Sequence, residues 1–219
     1  MKFPALFIPS TLLWAFSCIA ADEPVKPLYS NDFESAEVEK VPQEFMVMSG
    51  SFVVKEEAGN KFLELPGSPL DTFGLLFGPT TKEEVSATGR FFGTKQGRKF
   101  PAFGISLNGV GGYRLQVSAA KKTLEIFKGD EAKSSVNFEW TSGAWTKLRV
   151  QVRKTAAGTF LVEGKAWNAE GQEPATWQIS FEDKEESAPG RAGIWGSPYS
   201  GTPIRFDDIS VTPLAASKN

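Results

Sequence analysis

The chain has 219 residues, and its 24 Lys and Arg residues against 26 Asp and Glu residues give a formal net charge of −2 at pH 7. Proteins that bind nucleic acid carry clustered positive charge, so this balance does not favour a nucleic-acid partner. The sequence contains no histidine, which is the commonest general base near neutral pH and the commonest transition-metal ligand. The composition therefore excludes hydrolases whose catalytic mechanism depends on histidine.

The N-terminus has the pattern of a secretory signal peptide. Lys2 precedes an apolar stretch that ends at Ile19 and is followed by small residues. The stretch is shorter than the roughly 20 apolar residues of a membrane-spanning helix, and prolines interrupt it. We therefore predict a signal peptide at residues 1–20, a polar leader at 21–27, and a secreted or periplasmic chain without a transmembrane segment.

The single cysteine, Cys18, lies inside the predicted signal peptide. Removal of that peptide leaves a chain without thiols, which excludes disulfides, cysteine nucleophiles and thiolate metal sites. The alternative is lipid attachment through Cys18. Phe16 disfavours it, because lipoprotein signals carry small residues just before the modified cysteine.

The remainder of the chain has the pattern of an all-β protein. It is rich in the turn residues glycine and proline, and no long window repeats apolar residues at helical spacing. An opening segment at residues 28–33 is followed by strands predicted from period-2 alternation at 45–48, 51–54, 62–65, 74–77, 84–91, 102–107, 113–117, 124–127, 136–140, 145–153, 160–167, 177–181, 190–195 and 204–211. About fourteen strands suffice for two packed sheets. We predict one sandwich domain at residues 28–213 and a flexible tail at 214–219.

Three segments near the C-terminus resemble the closing strands of a known fold. They are Lys165-Ala-Trp167 with Glu173-Pro-Ala-Thr-Trp177, then Gly190-Arg-Ala-Gly-Ile-Trp195, then Phe206-Asp-Asp-Ile-Ser-Val211. Their order is similar to that of laminin G-like domains of secreted bacterial proteins, within the concanavalin A-like lectin and glucanase superfamily. The resemblance implies a two-sheet antiparallel jelly-roll sandwich. It does not choose a function, because this scaffold hosts sugar-binding modules, glycan-cleaving enzymes and structural domains alike.

The first ligand-binding candidates are the aromatic residues Trp195 and Tyr199. A pyranose ring binds on an aromatic platform beside planar hydrogen-bonding groups. Both residues lie in the glycine- and proline-containing segment 194–201, where the core has less need of an aromatic side chain. Trp195 can instead cap the sandwich, and both interpretations stay open.

A second candidate surface follows from strand alternation. If Leu115, Val117, Leu148, Val150, Val152, Phe160 and Val162 face the core, then their neighbours face outward. We expect the outward set to line one exposed sheet, and its members are Arg90, Arg114, Gln116, Arg149, Gln151, Glu163 and Lys165. The arginines favour recognition of carboxylate or sulfate groups, because a guanidinium binds them through two hydrogen bonds. A solvated sheet face has a similar composition, and that alternative also stays open.

The resemblance also implies a calcium site, because in such sandwiches a calcium ion often lies where the first and last strands meet. Asp32, Asp207 and Asp208 occupy those places in this sequence. Oxygen ligands of this kind suit calcium and not zinc. We therefore consider a structural calcium, against the alternative that these acids face water or pair with Arg205.

The sequence offers no catalytic constellation. A glycosidase of this fold needs carboxylates at alternate positions of one strand, but the dense acidic run at residues 182–186 is better explained as a solvated loop. A polysaccharide lyase needs a tyrosine beside an arginine or amide. The adjacent Tyr113 and Arg114 point to opposite faces of their strand. We therefore predict no catalytic residues.

The leading hypothesis is a secreted, noncatalytic module that recognises an extracellular or cell-envelope glycan. The alternative is a structural or protein-interaction module with an extracellular protein partner and no sugar ligand, and a glycan-cleaving enzyme ranks third. Convergence of Trp195, Tyr199 and the arginines on one groove favours the first hypothesis. Burial of both rings favours the second.

Overall fold

The computed structural model describes residues 25–68 and 71–214. The predicted signal peptide and Cys18 lie outside these residues. Within them the regular secondary structure consists of fifteen β-strands in two antiparallel sheets, which confirms the predicted all-β sandwich. No helix in this part of the chain is long and apolar enough to cross a membrane.

Each segment predicted from alternation overlaps a strand. In chain order the strands are β1 Tyr29–Asn31, β2 Met46–Ser49, β3 Val53–Glu57, β4 Asn60–Leu65, β5 Phe73–Thr81, β6 Val85–Phe92, β7 Ala102–Leu107, β8 Tyr113–Ser118, β9 Thr123–Lys128, β10 Glu131–Asn137, β11 Thr146–Lys154, β12 Phe160–Asn168, β13 Ile179–Asp183, β14 Gly190–Ser197 and β15 Ile204–Pro213. The largest displacement is at β10, which was predicted at 136–140. This strand is mostly polar, lies at the edge of its sheet and pairs only with β9. The sequence at its start therefore lacks the hydrophobic alternation that predicts a strand.

The strands form two sheets, which we call sheet A and sheet B. Sheet A has the order β13-β12-β11-β6-β15-β4-β3, with β1 also pairing with β15, and sheet B has the order β10-β9-β8-β7-β14-β5-β2. Neighbours in a sheet are often distant in the chain. In particular, β14 lies between β5 and β7, which places the segment containing Trp195 inside sheet B.

The facing sides of the two sheets enclose one hydrophobic core. Phe91 of sheet A stacks on Phe103 of sheet B, with the ring centroids 5.5 Å apart. The residues that alternation assigns to the core are all buried, namely Leu115, Val117, Leu148, Val150, Val152, Phe160 and Val162. Their polar neighbours therefore point to the outer face of one sheet or the other.

These polar neighbours do not share one exposed sheet, so that expectation was wrong. Arg90, Arg149 and Gln151 lie on sheet A, on β6 and β11. Arg114 and Gln116 lie on β8 of sheet B, whose outer face is on the opposite side of the sandwich. Alternation identifies the side chains that point away from the core, but it does not identify the sheet that a strand joins.

Candidate functional site

Trp195 lies on the outer face of sheet B, and two glycines clear the space around it. Its register partners in the neighbouring strands are Gly74 on β5 and Gly104 on β7. A Cβ atom at Gly74 would overlap the indole ring, so the ring lies directly over that glycine. The indole Nε1 donates a hydrogen bond to Ser106 Oγ at 2.8 Å. The ring is thus held in position while it stays partly exposed.

Arg114 lies next to Trp195, between two aromatic rings. Its Cζ atom is 5.5 Å from the ring centroid of Trp195 and 4.8 Å from that of Phe127. Its Nε atom is buried and has no hydrogen-bond partner among the described residues. Burial lowers the pKa of Arg114 from its ordinary value, and the negative charge of Asp130 acts in the opposite direction. An arginine side chain is effectively always protonated in proteins, so Arg114 carries its charge near neutral pH.

Gln116 and Glu125 continue the polar surface on the same face. Gln116 is the register partner of Gly104, and Glu125 is the register partner of Gln116. Gln116 Nε2 donates to Ser118 Oγ at 3.0 Å, and the Ser118 hydroxyl in turn donates to Glu125. Glu125 also forms an ion pair with Lys121 at 3.1 Å. This network orients the Gln116 amide beside the indole.

Tyr199 stands at one end of this surface. Its side chain is 41% exposed, and its hydroxyl lies 3.2 Å from Thr72 Oγ1. A depression of about 250 Å³ opens beside the ring, and its walls include Phe100, Gln116 and Lys121. We call the set Arg114, Gln116, Phe127, Trp195 and Tyr199 the sheet B site.

The strand register arranges this face in rows. Starting from the Tyr199 end, the rows are Ser197, Ala102 and Ser118, then Trp195, Gly104 and Gln116, then Gly193, Ser106, Arg114 and Phe127. Outward rows on a sheet are separated by roughly 7 Å, which is twice the rise per residue. The platform, the amide and the guanidinium are therefore all within reach of one small ligand.

Sequence reasoning selected four of these five residues and missed Phe127. Leu124 and Ile126 of the same strand are fully buried, so Phe127 occupies an outward position of β9. A large aromatic residue at an outward position was the signal that could have identified it.

Arg90 and Arg149 form ion pairs with acidic residues on the outer face of sheet A. Arg90 Nη2 lies 2.6 Å from Asp207 Oδ2, and its Nε lies 2.9 Å from Asp208 Oδ2 without hydrogen-bond geometry. Arg149 Nη1 lies 3.0 Å from Glu173, which also pairs with Lys165 at 2.7 Å.

These ion pairs give the charged side chains on the outer face of sheet A partners within the chain. Burial alone raises the pKa of Glu173, but the hydrogen bonds from Lys165 and Arg149 outweigh burial and lower it. Gln151 Nε2 donates to Glu163 at 2.8 Å. Arg90, Arg149 and Gln151 therefore already have partners within the chain, and their predicted ligand-binding role stays a prediction.

The residues considered for calcium do not fit a cation site. Asp207 is 1% exposed and accepts hydrogen bonds from Arg90 and from Asn60, the latter at 3.1 Å. The partner of these acids is Arg90, whose positive charge takes the place of a cation, and not Arg205. Asp32 lines a shallow depression of about 230 Å³ together with Asp208. Within residues 25–68 and 71–214 no group of three or more acidic side chains could hold a metal.

Comparison with known proteins shows the fold. No family model matches the sequence, and the search of curated proteins found no match. Among solved structures, the chain is similar to the carbohydrate binding module CBM66 from Bacillus subtilis, with a TM-score of 0.54 and 12% identity over 77% of this chain and 95% of that one. It is also similar to the metal-free carbohydrate recognition domain of Emp46p, with a TM-score of 0.59 and 13% identity over 88% and 99% of the two chains.

An enzyme is also among the similar structures. Xylan beta-1,4-xylosidase from Bacillus halodurans C-125 matches with a TM-score of 0.54 and 14% identity, over 88% of this chain but 41% of that one. The Emp46p domain is also known in a potassium-bound form. The chain thus has a two-sheet antiparallel jelly-roll sandwich fold, as the resemblance implied. Identities this low carry the fold and not the activity.

Proposed function

We propose that this protein is a noncatalytic carbohydrate-binding module and that its ligand occupies the sheet B site. The observation that carries the proposal is the Trp195 indole, which is held over Gly74 on an open sheet face beside Arg114 and Gln116. The similar module CBM66 and the Emp46p domain, both named for carbohydrate binding or recognition, support the same class of ligand. We also propose that the domain is related to laminin G-like domains.

The chemistry of the site suits a sugar ring. The C–H face of a pyranose packs on an indole, while amide and guanidinium groups donate hydrogen bonds to its hydroxyls. The hydrogen bond from Trp195 to Ser106 fixes the platform before the ligand arrives. Less side-chain entropy is then lost on binding, which favours affinity.

The carboxylate arrangement supports a noncatalytic role. Glycosidases use two carboxyl groups that flank the scissile bond. Glu125 is the acid in the Gln116 row, and it is already held by Lys121 and Ser118. Its register partners on the two neighbouring strands are Gln116 and Ser135, so no second carboxylate stands directly beside it. A glycan-cleaving enzyme remains the third alternative, which a hydrolysis assay on any bound glycan addresses.

We also propose that the protein acts outside the cytoplasm, in the periplasm or after secretion. The proposal depends on cleavage after residue 20, with lipid attachment through Cys18 as the disfavoured alternative. Mass spectrometry of the protein from its native host distinguishes the two. A mature N-terminus at Ala21 supports cleavage after residue 20, and a lipid-modified Cys18 supports the alternative of an exported, lipid-anchored chain. An uncleaved N-terminus contradicts both.

The decisive experiment compares two tryptophans on opposite faces. The folded protein is screened on a glycan array and on insoluble polysaccharides, and Trp195→Ala is expected to weaken any binding by at least about tenfold. Trp177→Ala is the matched control, because Trp177 is also partly exposed but packs against Lys165 on sheet A, with Nζ 4.6 Å from the ring centroid. Equal losses in both variants, or no binding to any glycan, would favour the structural or protein-interaction module.

A further inference from the structure

We infer that the sheet B site is selective for anionic glycans, those that carry carboxylate or sulfate groups, and that Arg114 recognises the anionic group. This inference rests on the proposed function and narrows its ligand class. Its starting point is a partly buried guanidinium that the rest of the described chain leaves without a carboxylate.

Arg114 differs from the other arginines of the two sheets. Those that form ion pairs with carboxylates are Arg90, Arg149, Arg153 and Arg205. Arg191 on β14 donates instead to the carbonyl oxygens of Gly78 and Glu44. Arg114 forms no ion pair with a described residue, and its Nε is buried without a hydrogen-bond partner.

Burial of an unpaired charge costs free energy, and an anionic ligand would recover it. A charged group removed from water is destabilised unless an opposite charge or hydrogen bonds compensate. The rings of Trp195 and Phe127 offer partial compensation through cation–π contacts. A carboxylate or sulfate accepts two parallel hydrogen bonds from a guanidinium, which a neutral hydroxyl cannot do.

The position of Arg114 suits recognition of a ring substituent. Its Cζ lies over the Trp195 ring, 5.5 Å from the centroid, so a sugar that binds at the exposed part of the indole lies next to the guanidinium. An anionic substituent on that sugar then meets the charge without displacing the ring from its platform.

The charge at the Tyr199 end of the site also favours an anion. The loop between β6 and β7 carries Lys95, Arg98 and Lys99 without an acidic residue, and none of the three forms an ion pair with a described residue. Lys95 lines a depression of about 240 Å³ with Phe100 and with Lys122, which forms an ion pair with Glu139. Phe100 also lines the depression beside Tyr199. This end is therefore locally positive although the whole chain carries a net charge of −2.

Two acidic residues near the site oppose an anion, namely Asp130, whose negative charge acts on Arg114, and Glu125. Glu125 is 4% exposed, and Lys121 and the Ser118 hydroxyl already bind its oxygens. Glu125 is thus compensated by an ion pair within the protein, whereas Arg114 forms no ion pair with a described residue.

The test measures affinity for two matched pairs of polymers at a fixed ionic strength. Polygalacturonate and its methyl ester differ in the carboxylate, and dextran sulfate and dextran differ in the sulfate. The unmodified protein is expected to bind at least one anionic member roughly tenfold or more tightly than its neutral counterpart. The pair that shows the preference identifies the anion.

Variants then assign the preference to Arg114. Arg114→Gln is expected to bring the ratio of the two affinities close to one, and Arg114→Lys to leave an intermediate ratio because lysine lacks the bidentate geometry. Arg153→Gln removes the same charge from sheet A, where Arg153 pairs with Glu163, and is expected to leave the ratio unchanged. Thermal unfolding confirms that each variant is folded.

Failure of the inference is distinguishable from failure of the proposed function. Binding of a neutral glycan that requires Trp195, with no preference in either pair, overturns the anionic selectivity alone. A preference that survives Arg114→Gln also overturns the assignment. No binding of any glycan by the folded protein overturns both proposals.

Discussion

The Trp195 side chain has space on the outer face of sheet B because its neighbours on the adjacent strands are glycines. A tryptophan on a packed sheet face normally competes for space with side chains on the adjacent strands. Here both register partners, Gly74 and Gly104, have no side chain. At the residue scale, the position of the indole therefore depends on three residues, Gly74, Trp195 and Gly104, which lie on three adjacent strands.

Gly74→Ala tests this dependence. The added methyl group would overlap the indole, and we expect the ring to be displaced, glycan affinity to fall about tenfold, and unfolding to become easier by about 1–3 kcal/mol. Near-UV circular dichroism reports the ring, and calorimetry reports the affinity. Gly111→Ala is the control, because a Cβ there meets no atom within 4 Å. Equal effects in both variants would contradict the proposed role of Gly74.

Strand β13 is linked to sheet B through Asp183. The buried hydroxyl of Tyr113 on β8 donates to Asp183 Oδ2 at 2.8 Å, and Lys128 Nζ on β9 lies 2.7 Å from the same carboxylate. Burial acts to raise the pKa of Asp183, but the hydrogen bonds from Lys128, the Glu185 amide and Tyr113 outweigh it and lower the pKa. At the element scale, Asp183 thus connects the edge of sheet A to two strands of sheet B.

The lowered pKa of Asp183 predicts a pH dependence of stability. A carboxyl group whose pKa is lower in the folded state stabilises the fold above its ordinary pKa of about 3.9, and this contribution is lost as the pH falls through the folded value. We expect Asp183→Asn to reduce the difference in urea unfolding free energy between pH 7 and pH 3. Tyr113→Phe, which removes one donor, is expected to cost about 1–2 kcal/mol at pH 7. An unchanged pH dependence in Asp183→Asn would show that other carboxyl groups dominate acid unfolding.

At the scale of the whole molecule, the two outer faces of the sandwich have different electrostatic character. On sheet A, Arg90 and Arg149 are neutralised by acids of the chain itself. On sheet B, Arg114 has no such partner among the described residues, and the aromatic platform lies beside it. The asymmetry supports our proposal that the ligand binds on the outer face of sheet B.

The same ion pairs lead us to expect that calcium does not stabilise the fold. Asp207 and Asp208 already face Arg90, so we expect the same thermal midpoint in calcium as in chelator. A cation present at 100 times its dissociation constant would add about 2.7 kcal/mol to the free energy of unfolding. A calcium-dependent rise of several degrees would therefore contradict this expectation. Loss of the rise in Asp32→Asn would then locate the ion at the depression that Asp32 shares with Asp208.

The sequence by itself determined which side chains enter the core and where most strands lie. Period-2 alternation is a local property, because successive residues of a strand point to opposite faces whatever the strand pairs with. It therefore identified the buried residues from Leu115 to Val162 and the outward positions of Arg114 and Gln116. It did not locate the start of β10, whose polar edge position leaves no periodic signal.

Only the tertiary structure decided which outward residues share a face. Pairing between strands that are distant in the chain places β14 between β5 and β7 and puts Arg90, Arg149 and Gln151 on the opposite sheet. Pairing of β15 with β6 placed Asp207 beside Arg90, and pairing of β14 with β7 brought Trp195 next to Arg114. A binding surface is made of contacts across strands, and those contacts arise from long-range pairing that local alternation does not encode.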